Sequence, residues 1–263
     1  MFLLGNVDIF TSALLTIGMG LLLAGREVAG GFLLGVVSVF KPPFILGLVP
    51  WLRRRPRTIA ASVVAAWLTM GLWALLNAGP DGVLFFVRHF QTFSTNELRS
   101  STPTNGSLVG LWGFITGRTT FLGFWGVEHI PFHGLLPGVL PVLPMAILSS
   151  VILVGWGLWE ARNLQEPVLE AGFWLTAGAL VSPVSWPNHN LYLALPLLYL
   201  WATLSRRSRT VQKFFWLVLP FLLLASGWFS IIIPAAPFMP AAAGQALFRL
   251  ALAVLFIRAA RSR

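Results

Sequence analysis

The sequence predicts an all-α polytopic membrane protein with about seven spanning helices and one re-entrant hairpin. Mean hydropathy is +0.81, and 57% of the residues are hydrophobic whereas only 10% are charged, against roughly 25% charged residues in soluble domains. Apolar runs recur along the whole chain, so we expect a single transmembrane domain over residues 1–263. Cysteine is absent, which excludes disulfides and thiol catalysis.

Several apolar runs approach the roughly 20 residues that a spanning helix needs. The runs are 8–24, 28–52, 58–76, 135–157, 169–182, 190–204, 214–233 and 243–258. The net charge is +10, but the basic residues fall between the runs and form no single patch, so we expect no nucleic-acid partner. The gaps that hold 13 of the 18 basic residues contain Arg26, Arg53, Arg54, Arg55, Arg57, Arg162, Arg206, Arg207, Arg209, Lys213, Arg258, Arg261 and Arg263. The positive-inside rule makes these gaps cytoplasmic, which predicts a multi-pass plasma-membrane protein with its N-terminus outside and its C-terminus inside.

The stretch "SVFKPPFILGLVPWLRRRPR" predicts the hairpin, at residues 28–52. Arg26 and the arginines from Arg53 onward both belong inside, so the chain between them must enter the membrane and return. Each arm is too short to cross a hydrocarbon core of about 30 Å. Pro42 and Pro43 make the bend, and Lys41 lies at its tip, where it needs a polar cavity or an anionic partner. The alternative is one long tilted helix kinked at the prolines, with Lys41 snorkelling to the surface.

Residues 77–134 form the long external segment of this topology. Phenylalanines alternate with polar residues from Phe85 to Phe93, which indicates a helix lying in the membrane interface. A second short apolar helix is predicted from Leu108 to Ile115, after a turn at Pro103 to Gly106.

Four polar stretches collect at the outer face: "GNVD" at 5–8, Lys41, "NGS" at 105–107 and "SPVSWPNHN" at 182–190. The last contains Ser182, Ser185, Asn188, His189 and Asn190 between two prolines, and ordinary turn chemistry is an alternative reading for its serines and prolines. Asp8 starts the first predicted helix, where a capping role and a catalytic role both remain open. "EHIPFH", with Glu128, His129 and His133, is too sparse for a ligand set, so we expect no metal and no other cofactor.

The segments "GNVDIFTSALLTIGMGLLLAGREVAGGFLLGVVSVFKPPFILGLVPWLRRR", "NGSLVGL" and "LVSPVSWPNHNLYLALPLLYL" resemble, in order and separation, the later part of glycosyltransferase family 87. The resemblance covers most of residues 5–204. It implies a GT-C-like fold and a polyprenyl-phosphate sugar donor, commonly carrying mannose, with transfer to a glycan or glycolipid acceptor at the outer face. Membrane lipid and these two substrates are the expected partners.

The implied reaction releases a lipid phosphate, whose developing negative charge a desolvated cation would stabilise. Lys41 is the first candidate for that cation and His189 the second. The expected hydrogen-bond donors to phosphate or sugar are Asn105, Ser107, Ser185 and Asn188.

The sequence departs from the family pattern in three places. Gly106 stands where the family usually has Gln, and Asn188 and His189 stand where it usually has two adjacent histidines. The family also places its presumed catalytic aspartate upstream of the region matching "GNVD", so we expect an N-terminally truncated chain. The candidate bases that remain are Asp8, Asp81 and Glu97, none of which matches the family position, and Asp8 is the first of them to test. Two other functions stay open: a non-catalytic subunit that binds lipid-linked glycans, or a transporter or flippase, for which no matching second Lys-Pro segment is found.

Overall fold

The computed structural model describes residues 2–99, 106–116, 141–182, 185, 187–206 and 241–261, and these are helical with no strand among them. The α-helices are α1 (Phe2–Leu23), α2 (Glu27–Phe40), α3 (Val49–Arg54), α4 (Pro56–Arg99), α5 (Leu108–Ile115), α6 (Val142–Ala161), α7 (Pro167–Val181), α8 (Ala194–Ser205) and α9 (Ala241–Arg261). Two 3₁₀ helices, Pro42–Leu48 and Pro187–Leu193, precede α3 and α8. The predicted all-α class is confirmed.

Helix α7 is the centre of the bundle. Every side chain from Val168 to Leu180 is buried, which is typical of a helix enclosed on all sides. It contacts α6, α8, α9 and the first 3₁₀ helix. At two glycines of α7, neighbouring groups occupy the space that a side chain would need. A Cβ at Gly172 would lie 2.5 Å from the Phe256 ring, and one at Gly178 would lie 2.4 Å from the Pro43 carbonyl oxygen.

The segment from Glu27 to Arg55 folds as a hairpin. Helix α2 ends at Phe40, and the backbone leaves the helical region at Lys41 (φ −138°, ψ 75°) before the two prolines. The second arm then returns as a 3₁₀ helix followed by α3, rather than as one α-helix. Its end meets the start of the first arm, because Arg55 Nε lies 3.3 Å from the Glu27 carboxylate. A single long kinked helix is therefore wrong, while the re-entrant placement in a bilayer stays a prediction.

Ion pairs gather at the end of the bundle that holds the predicted cytoplasmic gaps. Besides Glu27 and Arg55, Arg53 Nη1 lies 2.7 Å from the buried Glu170 carboxylate, and Arg261 pairs with Glu160. The last two pairs each join two helices, and the first joins α2 to the short link between α3 and α4. The Lys41 tip lies at the opposite end, because α2 runs for 14 residues from Glu27, or about 20 Å.

Helix α4 is two helical stretches that meet at a kink. Gly79 has a positive φ (φ 67°, ψ 175°), a conformation that glycine adopts at no steric cost, and Pro80 follows it. The kink lies close to residue 77, where the external segment is predicted to begin. The chain continues as helix to Arg99, so the predicted interfacial stretch is helical, and α5 confirms the predicted helix at Leu108 to Ile115.

Two of the described helices are long and apolar enough to cross a membrane: Pro56–Phe85 and Val142–Ala161. Both expose large hydrophobic side chains, namely Trp67, Leu68, Leu72, Trp73 and Leu76 on α4 and Ile147, Leu148, Val151, Ile152 and Trp159 on α6. Exposed apolar surface of this kind marks a surface that contacts lipid or another protein. The count of about seven spans stays a prediction, and the apolar run at 214–233 lies outside the described residues.

The capping role considered for Asp8 is wrong. Helix α1 begins at Phe2 and has no acidic residue in its first turn. Asp8 is therefore the seventh residue of the helix, whereas a capping residue precedes the first turn. The boundary was missed because the apolar run was started at the aspartate, although Phe2 to Leu4 already continue the same pattern.

Replacing Gly178 with alanine should destabilise the protein. The added methyl group would press on the Pro43 carbonyl and force α7 away from the hairpin, a kind of overpacking that costs about 1–3 kcal/mol. Gly155→Ala is the matched control, since nothing lies within 4 Å of a Cβ at that position. The check is thermal unfolding in detergent, and equal melting temperatures for the two variants would contradict this packing.

Candidate functional site

Four separate parts of the chain meet beyond the C-terminal end of α7. They are the hairpin tip at Lys41, the start of α5 at Gly106 and Ser107, the 185–190 segment, and Arg249 of α9. We call Lys41, Ser185, His189, Asn190 and Arg249 the cationic cluster. Its members lie up to 208 positions apart in sequence, between Lys41 and Arg249. The packing of the first 3₁₀ helix and of α9 against α7 brings them together.

Hydrogen bonds link the predicted residues Lys41, His189 and Ser185 in a row. Lys41 Nζ lies 3.1 Å from His189 Nε2, and Ser185 Oγ lies 3.2 Å from His189 Nδ1. An ammonium only donates, so His189 Nε2 accepts from Lys41 and the ring proton belongs on Nδ1, which then donates to Ser185 Oγ. His189 is thus a neutral ring whose orientation two neighbours determine.

Arg249 is the member of the cluster that the sequence interpretation missed. Its side chain is fully buried, and its Nη1 donates to the Gly106 carbonyl oxygen and to Ser185 Oγ, each at 2.7 Å. Its Nε and Nη2 both donate to Asn190 Oδ1, at 3.1 and 3.0 Å. A signal was present in the sequence: an arginine in the middle of the apolar run 243–258, where an ionisable residue marks a functional or structural site.

Aromatic side chains form the apolar wall of the cluster. Phe44, from the second arm of the hairpin, stacks on Tyr192 with ring centroids 4.2 Å apart and meets His189 edge-on at 5.6 Å. The Tyr192 hydroxyl is hydrogen-bonded to the Thr11 hydroxyl of α1. The His189 ring is thereby fixed from its apolar side as well, and α1 is tied to the site.

Ser107 begins α5. Its Oγ accepts a hydrogen bond from the Gly110 backbone N–H at 3.3 Å, as an N-cap serine does. The Gly106 N–H donates to the Ser185 carbonyl at 2.8 Å, which joins the start of α5 to the 185–190 segment. A side chain at position 106 would collide with Gln245 and Arg249, so α9 fills the space that the glycine leaves. The predicted role of Ser107 in substrate binding stays a prediction.

Three predicted site residues cannot be placed in the same detail. Asn105 lies outside the described residues, and for Asn188 and Asp8 only the backbone is described. Asn188 belongs to the second 3₁₀ helix, directly before His189, and Asp8 precedes Thr11 by three residues in α1. Their roles stay predictions.

The charge balance at the site is positive among the side chains that the structure describes. Glu27, Glu160 and Glu170 are engaged at the opposite end, and Asp81 is exposed on α4. No group of three or more His, Asp or Glu residues that could hold a metal occurs in the described part of the chain. Glu128, His129 and His133 lie outside that part.

His189 belongs to the connection between α7 and α8. Burial, followed by the charges of Lys41 and Arg249, lowers the pKa of His189 well below the ordinary value of a histidine. The ring is therefore neutral at physiological pH, which agrees with its hydrogen bond from Lys41. Lys41 and Arg249 are the cationic side chains of the cluster, and His189 is a neutral acceptor for Lys41. The roles of Lys41 and His189 toward a substrate stay predictions.

Helices with exposed apolar side chains and a cationic cluster at one end are typical of an α-helical membrane protein with a polar site. The comparison with known families makes this specific: residues 1–187 match glycosyltransferase family 87, and the chain belongs to that family. The resemblance stated from the sequence is confirmed, and the protein is a membrane glycosyltransferase by family. No curated protein and no solved structure matches the chain.

The pKa of His189 should rise when Lys41 is replaced with methionine. One of the two neighbouring positive charges is then gone, whereas burial, the larger cause, remains, so the pKa stays below its ordinary value. The titration can be followed by ¹⁵N NMR of labelled histidine in a variant with His89, His129 and His133 changed to Gln. Arg26→Met, at an exposed position, is the control. An ordinary histidine titration in the unsubstituted site would contradict the neutral-acceptor assignment.

Proposed function

We propose that the protein transfers a sugar, mannose or another hexose or pentose, from a polyprenyl-phosphate donor to a hydroxyl of a glycan or glycolipid. The observation that carries this proposal is the Lys41 ammonium at the tip of the hairpin, hydrogen-bonded to a neutral His189. Family membership supplies the reaction class. The GT-C-like architecture and the polyprenyl-phosphate donor belong to the proposal, since they come from the resemblance to the family.

The chemistry needs a positive charge where the leaving phosphate develops negative charge. The bond between the anomeric carbon and the phosphate oxygen breaks, and its electron pair leaves with the phosphate. A new bond forms from the acceptor oxygen to that carbon, and the acceptor proton passes to a base. A preorganised ammonium beside the phosphate oxygen is worth more in an enclosed site than in water. Lys41 is the residue for this role.

The remaining groups have supporting roles in the proposal. Asp8 is the candidate base, and its position in α1, one turn before Thr11, brings its backbone toward the Tyr192 side of the site. Ser107, Ser185, Asn105 and Asn188 would hydrogen-bond to phosphate or sugar hydroxyls. We place the site at the outer face of the plasma membrane, because the arginine-rich end of the bundle is the opposite one.

Lys41→Ala should weaken binding of undecaprenyl phosphate about 10- to 100-fold, because a charge-assisted hydrogen bond contributes about 1.5–3 kcal/mol. Binding is measured with radiolabelled lipid and the full chain in detergent, and undecaprenol, which lacks the phosphate, is the ligand control. Arg26→Ala is the matched variant, an exposed cation at the other end of α2, and it should bind as the unsubstituted protein does.

Unchanged phosphate-lipid affinity in Lys41→Ala would overturn the role of Lys41. A transfer assay with polyprenyl-phosphate mannose and extracted glycolipids separates the enzyme from the non-catalytic subunit that the sequence also leaves open. Formation of a mannosylated lipid supports the enzyme, and tight binding without any product supports the non-catalytic subunit.

A further inference from the structure

Arg249 is the most deeply buried charge of the described residues, and the proposed transfer does not use it. It is 0% exposed, in the middle of an apolar helix that lies beyond the family match at residues 1–187. Burying a guanidinium is costly unless its N–H groups all find acceptors. Such a residue is retained in an apolar helix when it does something that an apolar side chain cannot.

The acceptors of Arg249 come from both segments that build the cluster with the hairpin. Gly106 precedes α5, whereas Ser185 and Asn190 lie on either side of His189. Asn190 Oδ1 accepts hydrogen bonds from both Nε and Nη2 of Arg249. Arg249 Nη1 donates to the Gly106 carbonyl oxygen and to Ser185 Oγ, each at 2.7 Å. One planar group thus fixes the distance between the start of α5 and the two flanks of His189.

We propose that Arg249 is a positioning residue for the donor-phosphate site: its guanidinium holds Ser185 and Asn190, and through Ser185 it sets the ring of His189 that receives Lys41. The proposal rests on the proposed function and adds a residue of α9 to it. Arg249 does not touch the phosphate, since at least four of its N–H bonds are directed to protein acceptors.

The contacts run from Arg249 through Ser185 and His189 to Lys41, so removing the guanidinium should displace the Lys41 ammonium. Ser185 Oγ receives Arg249 on one side and His189 Nδ1 on the other. When the guanidinium is absent, Ser185 Oγ loses the donor opposite His189, and its contact with His189 Nδ1 shifts. His189 Nε2 then no longer lies 3.1 Å from Lys41 Nζ, and the ammonium leaves the position at which it would meet the phosphate.

Lysine cannot replace this arginine. A guanidinium presents five donors in a rigid plane, whereas an ammonium is a compact point charge at the end of a flexible stem. Arg249→Lys keeps the positive charge and the helix propensity, and it removes the fork that reaches three residues at once. Arg258→Lys is the matched control, because Arg258 is an exposed arginine on the same helix.

The test is equilibrium binding of radiolabelled undecaprenyl phosphate to the full chain in detergent, with undecaprenol as the ligand control. Arg249→Lys should weaken binding at least about 10-fold, the effect of losing one hydrogen bond to a charged group. Arg258→Lys should change it less than about 2-fold. An Arg249→Lys affinity within 2-fold of the unsubstituted protein overturns the proposal, provided that Lys41→Ala has lost binding in the same assay.

A double-mutant cycle separates positioning from a general loss of structure. If Arg249 acts through Ser185, Arg249→Lys should weaken binding much less in a Ser185→Ala background than in the unsubstituted protein, because the path to His189 is already cut. If the fold-losses in affinity of the two single variants simply multiply in the double variant, Arg249 does not act through Ser185 and the proposal is overturned. Melting temperature and gel filtration of every variant show which proteins are folded.

Asn190→Ala is the second variant, for the case that Arg249→Lys does not fold. It removes two of the acceptor contacts and leaves the guanidinium in place. Binding weakened at least about 3-fold supports the proposal, and unchanged binding overturns it. If the unsubstituted protein does not distinguish undecaprenyl phosphate from undecaprenol, the proposed donor site fails first, and Arg249 then has no site to position.

Discussion

Supplying hydrogen-bond acceptors to a buried and a half-buried cation, Arg249 and Lys41, is the constraint on which this structure depends. A charge taken out of water costs several kcal/mol even after relaxation, and it is tolerated only where donors meet acceptors with good geometry. Arg249 meets this condition with a backbone carbonyl, a serine hydroxyl and an amide oxygen. Lys41 meets it in part with a neutral imidazole. The acceptors described for these two side chains are uncharged groups, whereas the ligand proposed for the cluster is an anion.

The fold supplies that geometry through one central helix. Helix α7 is buried on all sides, and the close approach at Gly178 brings the hairpin bend onto it, while Gly172 admits Phe256 of α9. Lys41 and Arg249 are thus placed on the same end of the bundle by contacts with one helix. At the other end, Glu170 and Glu160 of α7 and α6 pair with Arg53 and Arg261. These pairs tie the hairpin and α9 to the bundle a second time, so neither element can shift without breaking contacts at both ends.

Charge patterning and prolines were enough to predict the hairpin, since arginines at both ends and Pro42 and Pro43 between them leave few other paths. The same logic picked out Lys41, Ser185 and His189, which the structure does bring together.

The sequence interpretation failed at Arg249, because it looked for polar residues in loops and passed over one arginine within an apolar helix. The 3₁₀ form of the second arm was also missed, since tertiary contacts with α7 decide it. The start of α1 was set six residues too late, at Asp8, because interior and end positions of an apolar helix differ little in composition.

The measurement that tests the account most directly is a cryo-electron microscopy structure of the full chain in lipid nanodiscs, with undecaprenyl phosphate bound and an antibody fragment added for size. We expect phosphate density within about 4 Å of Lys41 Nζ, the range of an ion pair, with His189 and Arg249 in the contacts described here. Phosphate density at the arginines of the opposite end, around Arg53 to Arg55, with the Lys41 side of the bundle empty, would contradict it.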